Sequence, residues 1–202
     1  MEPVRIGVVG TGSVGSTLGR RWAEAGHAVR FGTRDLERSD VRSLVAAVDG
    51  DAEAVMVEGA ADADVLVLAV PANAVESTLS GLDFSGVLVD PTNSYPEPGP
   101  EPGAARAARL APNARVVKAF NTVGAEVMAD PDLGGVAATM PLAGDDPDAK
   151  ELVAGLAREL GFEPLDVGDL SAAVHLENLA RLWIHLAVTG GNREFAFVHR
   201  AR

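Results

Sequence analysis

The run Gly10-Thr11-Gly12-Ser13-Val14-Gly15 constrains the fold more than any other feature of the chain. Glycines at this spacing are common in turns of every kind, but these follow the apolar run Arg5-Ile6-Gly7-Val8-Val9 directly and open a helix-compatible stretch from about Ser13 to Ala25. A strand, a glycine turn and a helix in that order form a phosphate-binding βα unit. Gly10 permits the tight turn, Gly12 lets the backbone approach a pyrophosphate, and Gly15 allows close helix packing. The helix N-terminus adds N–H donors that have no partner within the helix.

Downstream punctuation repeats the pattern. Gly26 suits a helix C-cap, and Ala28-Val29-Arg30-Phe31 reads as the second strand of a βαβ unit. Further strand candidates lie at Ala54–Val57, Val65–Val70, Val87–Asp90, Val116–Ala119 and Ala137–Leu142, with helix-compatible segments between several of them. This alternation predicts an α/β fold, a doubly wound, mostly parallel sheet of the Rossmann type with a short C-terminal helical extension. A chain of 202 residues is expected to form a single nucleotide-binding domain over residues 1–202, with residues 161–202 as an extension packing on it or on a dimer partner.

The C-terminal third carries its own signals. A helix pattern from Pro147 to Leu160 stops at Gly161, and Phe162-Glu163-Pro164-Leu165 reads as an edge strand or an extended connection. A last helix spans Ser171 to Val188, with Leu176, Leu179, Leu182, Trp183 and Leu186 in one stripe and further apolar residues around it. So apolar a helix is either buried within the subunit or packed in a homodimer interface. The proline-rich segment Tyr95–Gly103 is an extended loop, either a plain connector or a lid beside a ligand.

Composition removes several function classes. A net charge of −12 argues against a nucleic-acid surface, and the absence of cysteine excludes thiol chemistry and Cys-based metal centres. No apolar run reaches the roughly 18 to 20 residues of a membrane span, and the expected location is the cytoplasm. His175 and His185 stand nearly three turns apart on one helix, too far to share a metal, and no metal site is predicted.

The end of the second strand selects the dinucleotide. An acidic residue there would accept a hydrogen bond from a ribose 2′-hydroxyl and repel a 2′-phosphate. The chain instead reads Phe31-Gly32-Thr33-Arg34, offering a hydroxyl and a guanidinium fork suited to a phosphomonoester, so NADP(H) is expected over NAD(H). Arg38 is a further candidate, and Asp35 and Glu37 are at hand to hold either arginine in surface ion pairs instead. At the carboxyl ends of later strands, Ala69-Val70-Pro71 and Asp90-Pro91-Thr92-Asn93 are candidates for the nicotinamide side. Asn93 is the better placed, since its amide can pair with a ribose or a carboxamide.

The glycine turn, the Gly32-Thr33-Arg34 loop, Val117-Lys118-Ala119-Phe120-Asn121-Thr122, Leu165-Asp166-Val167-Gly168-Asp169-Leu170 and Leu176-Glu177-Asn178-Leu179 together resemble the F420-dependent NADP oxidoreductases, and the likeness covers nearly the whole chain. The cytosolic domain of the metalloreductases looks similar too. The resemblance implies an enzyme that passes hydride between NADPH and a second redox cofactor, the deazaflavin F420 or a flavin, stacked on the nicotinamide. It also implies roles for Thr11, Ser13 and Val14 in the turn, Thr33 and Arg34 at the 2′-phosphate, Ala69, Val70 and Pro71 beside the ribose, and Ala119, Phe120 and Asn121 around the reaction centre. Two departures bear on the acceptor: archaeal members tend to have histidine where this chain has Asn121, and many relatives have arginine where it has Val174.

Hydride transfer between stacked rings requires proximity and orientation more than an acid. A small imine or carbonyl acceptor would need a proton donor, for which Tyr95, Lys118, His175 and His185 qualify chemically. Asn121 is the preferred active-site residue, as a hydrogen-bond partner. Trp183 either stacks on a flavin-like ring or belongs to the apolar stripe. An NADP-binding sensor without turnover is the alternative from another class.

Overall fold

The computed structural model describes residues 1–97, 99 and 101–201. The apolar runs form strands β1 (Arg5–Val9), β2 (Ala28–Thr33), β3 (Ala52–Met56), β4 (Val65–Leu68), β5 (Val87–Asp90), β6 (Arg115–Lys118), β7 (Thr139–Gly144) and β8 (Glu163–Asp166). Among the described residues these make one eight-stranded sheet in the order β3-β2-β1-β4-β5-β6-β7-β8. Neighbours are parallel except β6 and β7. Helices α1 (Ser13–Glu24), α2 (Ser39–Ala46), α3 (Val57–Ala60), α4 (Val75–Leu79), α5 (Gly103–Leu110), α6 (Ala125–Ala129), α7 (Pro147–Leu160) and α8 (Ala173–Gly190) connect and cover them.

The central strands are apolar on both sides because helices lie on both faces. In β4, Val65 and Val67 join a core layer with Leu18 and Trp22 of α1 and Leu156 of α7, whereas Leu66 and Leu68 join a layer with Leu79 of α4 and Ala107 of α5. Each valine or leucine among them, fully withdrawn from water, contributes roughly 1.5–3 kcal/mol against the entropy of ordering it.

After β3 the chain crosses back to place β4 on the other side of β1, with Val9 opposite Leu68. The carboxyl ends of β1 and β4 thus meet at the point where strand order reverses, the crevice where open α/β sheets hold ligands. Both Gly10 and Ala69 emerge there.

Several boundaries differ from the sequence expectation. Strand β4 stops at Leu68, releasing Ala69-Val70-Pro71 into the crevice, and β7 lies at Thr139–Gly144 with Ala137 left in an isolated bridge to Asp132. The segment after Gly161 is an edge strand, parallel to β7. Helix α7 is bounded as its sequence dictates: Asp146 Oδ1 accepts the N–H of Ala149 at 2.7 Å, Pro147 begins the helix, and Gly161 ends it at φ +99°. Of the expected loop at Tyr95–Gly103, Pro98 and Pro100 lie outside the described residues.

Helix α8 buries Leu176, Glu177, Ala180 and Trp183 but leaves Val174, Leu182, Leu186 and Val188 exposed. Trp183 docks the C-terminal tail: its ring stacks on Phe195 at 5.3 Å, its Nε1 donates to the Phe195 carbonyl, and Arg193 lies over its ring at 5.6 Å. That ring is engaged by the chain itself, which settles Trp183 as a packing residue. No helix among the described residues is long and apolar enough to cross a membrane.

Candidate active site at the strand crossover

The glycines of the first turn answer to different demands. Gly10 has φ +102°, and a Cβ there would lie 2.2 Å from the carbonyl oxygen of Ala69, so both conformation and space require glycine. At Gly15 an added Cβ would stand 2.0 Å from the Gly10 carbonyl oxygen and 3.0 Å from the Ala69 Cβ. Gly12 is different. Its φ of −73° suits any residue, and an added Cβ meets nothing within 4 Å. Neither backbone conformation nor packing within the protein accounts for glycine at 12, which borders the open space before the N-terminus of α1. The first turn of α1 has no acidic residue, and no side chain caps it. Its N–H groups face an opening that fits a close-lying pyrophosphate.

From this turn a cleft of about 570 Å³ runs past Gly32, Thr33 and Arg34 on one side and Ala69, Val70, Pro71, Ala74 and Thr78 on the other. Thr33 is buried, and its Oγ1 both accepts from the N–H and donates to the carbonyl of Asp35, so the hydroxyl shapes the loop. Arg34 is exposed on the cleft wall and has no ion-pair partner among the described residues. Arg38, also on the wall, is paired with Asp40, whose carboxyl it holds below the usual range by donating to it. Neither Asp35 nor Glu37 pairs with Arg34 or Arg38: Glu37 holds Arg42, and Asp35 Oδ1 accepts the N–H of Glu37. Arg34 is therefore the unengaged cation at the place expected for a 2′-phosphate. Ser13 is exposed at the start of α1, while Val14 packs against the core.

At the carboxyl ends of β5 and β6 the two asparagines form a reciprocal pair. Asn93 Nδ2 donates to the backbone carbonyl of Asn121 at 2.7 Å, and Asn121 Nδ2 donates to Asn93 Oδ1 at 3.0 Å. A carbonyl can only accept, so the first bond fixes which way the Asn93 amide faces, and the second then fixes Asn121. Asn121 Oδ1 is left buried without a partner. A buried acceptor in this condition calls for a donor, since desolvating it unpaired costs about 1–3 kcal/mol.

The side chains of Ala119 and Phe120 are not brought into the cleft. Both are buried, and the Phe120 ring packs edge-on to Trp22 at 5.5 Å and Phe162 at 6.1 Å. Phe120 also has φ 59°, rare for a bulky residue, so what it offers the site is a reversal of the backbone that delivers Asn121. Lys118 is likewise removed from the list of proton donors: its Nζ is fully buried, 3.0 Å from Asp90 Oδ2 and 3.3 Å from Glu177 Oε1. Sequence reasoning missed this cluster. The signal was present, a single lysine within the apolar run Val116–Phe120.

Two further hollows flank the asparagines. One of about 620 Å³ begins at Pro71 and Asn93 and is walled by Asn73, Tyr95, Glu97 and Arg106. The other, about 320 Å³ and mostly apolar, begins at Thr122 and lies between Pro141, Leu165, His175, Leu179 and Phe197. The tail closes it by two bonds to Thr139, whose N–H donates to the Phe197 carbonyl and whose Oγ1 accepts from the N–H of His199. His185 is exposed on α8 and lines neither hollow.

Comparison with known proteins agrees with this geometry. Residues 5–94 match the family model described as NADP oxidoreductase, coenzyme F420-dependent. The F420-dependent NADP reductase of Methanothermobacter thermautotrophicus is 33% identical, across 92% of this chain and 90% of its own length. The metalloreductase STEAP3 of Rattus norvegicus is 32% identical across 87% of this chain, which spans only 36% of that protein. A crystal structure of a protein from Arthrobacter sp. FB24 superposes with a TM-score of 0.83 at 28% identity, covering 98% of this chain and 100% of the other. With a near full-length relative at this identity, the chain belongs to the family of F420-dependent NADP oxidoreductases.

Proposed function

We propose that the protein passes hydride between NADPH and a planar second redox cofactor of the F420 or flavin type. NADP(H) is placed along the cleft by the turn at Gly10–Gly12 and by Arg34. The turn before α1 carries this reading: an uncapped helix N-terminus without acidic residues opens on the cleft, and Gly12 leaves that opening clear, as a pyrophosphate lying on the helix N-terminus requires. Bound NADPH supplies the hydride. The protein's part is orientation: Arg34 anchors one end of the dinucleotide, Ala69–Pro71 line the wall where it turns toward β5, and the locked Asn93–Asn121 pair presents a fixed amide face at the other end. Asn121 has no proton to give and Lys118 is held in buried ion pairs, so a carbonyl or imine acceptor would have to draw its proton from Tyr95 on one hollow or His175 on the other, whereas a stacked ring acceptor requires orientation more than an acid. The apolar hollow at Thr122 is sized for one ring system and is the proposed acceptor side. The exposed face of α8 is proposed to pair with a second copy of the chain.

The test is direct. NADPH and NADH affinities are measured for the wild type and for Arg34→Ala, followed by a screen of F420, FMN, FAD and small imines for stimulated NADPH oxidation. Arg34→Ala is expected to weaken NADPH roughly 10- to 100-fold, the worth of a hydrogen-bonded charge, and to leave NADH unchanged. Equal affinity of the wild type for the two dinucleotides would overturn the reading of Arg34. Stimulation by imines and by none of the ring cofactors would overturn the acceptor class.

A further inference from the structure

In the Leu176-Glu177-Asn178-Leu179 motif, Leu176 and Leu179 line the apolar hollow, whereas Glu177 lines neither hollow nor cleft and is buried on a helix whose outer face is apolar and exposed. Its Oε1 accepts the N–H of Gly103 at 2.7 Å and lies 3.3 Å from Lys118 Nζ. Lys118 in turn donates to the carbonyl of Thr92 and to Asp90 Oδ2, and Asp90 Oδ1 accepts the N–H of Thr92. Thr92 lies three residues before the proline-rich segment Tyr95–Gly103 and Gly103 ends it, and the segment's Tyr95 and Glu97 wall the hollow beginning at Pro71 and Asn93. One buried carboxylate on α8 thus holds Gly103 directly and Thr92 through Lys118.

Two acidic groups facing one ammonium in a dry environment are costly to assemble, and a fold that needed only cohesion could fill this space with apolar side chains at equal or lower cost. The bonds made are directional, and all of them end on the backbone of Thr92 and Gly103 or on each other. We propose that Glu177 is a positioning residue: with Lys118 it clamps both ends of the segment from Thr92 to Gly103 and so fixes the wall beside the nicotinamide end of the cleft. The clamp is a property of the chain alone, and its effect on nucleotide rests on the NADP reading above.

Glu177→Ala and Glu177→Gln test it. The alanine variant leaves Lys118 paired with Asp90, so the fold retains a balanced buried pair, while the glutamine variant keeps an acceptor for Gly103. Hydrogen exchange in the protein without nucleotide reads the clamp itself: Glu177→Ala is expected to speed exchange at the N–H groups of Gly103 and Thr92, and Glu177→Gln to restore Gly103. Binding reads its consequence with two probes. Adenosine 2′,5′-bisphosphate fills only the adenosine half of the cleft, and its affinity is expected to stay within about twofold in Glu177→Ala, while NADPH weakens by about fivefold or more and recovers in Glu177→Gln. Unchanged exchange at Gly103 in Glu177→Ala would overturn the clamp, and so would equal losses for both probes, which mark general softening. A wild type that bound neither probe would instead sink the NADP reading, with exchange still deciding the clamp.

Discussion

Glycine 12 and glycine 15 stand three residues apart in one turn, and opposite outcomes are expected from filling them. At Gly15 a methyl group has no room beside the Gly10 carbonyl, so Gly15→Ala is expected to cost about 1–3 kcal/mol of stability in a urea titration, as overpacking does. At Gly12 the chain is at the N-cap of α1, where serine is a preferred residue, so Gly12→Ser is expected to leave the urea midpoint unchanged or raised. Its NADPH affinity is expected to fall about tenfold or more, because the new side chain takes the space of the pyrophosphate. Stability and binding measured on both variants check the assignment; a Gly12→Ser protein that bound NADPH normally would refute it. The close packing at Gly15 was legible in the sequence, since the spacing of the motif encodes it. The separate roles of Thr33 and Arg34 were not, because nothing local says that the Thr33 hydroxyl is already engaged by Asp35.

At the scale of elements, strands buried on both sides were readable and directions were not. Arg5–Val9 and Val87–Asp90 were marked correctly because apolar β-branched runs bounded by turn signals have little else to become. Strand β7 contains Pro141 and Ala143 and ends on a glycine, so its pattern is weak, and its antiparallel pairing to β6 depends on the path of the connection. The clamp around Lys118 escaped for a related reason: Glu177 lies 59 residues away from it, and no local pattern links them. The apolar pattern of helix α8 predicts that it is buried within the subunit or packed in a homodimer interface. In the single chain its cover is partial, and the double variant Leu182→Glu, Leu186→Glu is expected to shift the protein from dimer to monomer in sedimentation equilibrium. A wild type that sedimented as a monomer at about 100 μM, where an interface of useful affinity is filled, would count against the pairing of α8 with a second copy.

The whole molecule carries a net charge of −12 yet is proposed to bind a polyanion, which it can do because the field at the turn is set locally by backbone N–H groups and Arg34. The same excess of acid groups shapes its response to pH. At the opposite ends of β1 and β2, Arg5 donates to Asp64 and holds its carboxyl below the usual range, and Arg30 with Arg5 does the same for Asp62. A carboxyl depressed in the folded state adds stability that is complete above its unfolded value, about 3.9, and is lost as pH falls through the folded value. The thermal midpoint is therefore expected to decline below about pH 4, and the double variant Asp62→Asn, Asp64→Asn to start lower at neutral pH and decline less steeply in acid. An unaltered acid slope in that variant would remove these pairs from the account. The openness at Gly12 has one more consequence, for anyone redesigning the chain. Protocols that rank substitutions by thermal tolerance would accept serine at this position as a better helix cap, and, on the proposed reading of the turn, the resulting protein would fold and melt well while having lost its nucleotide.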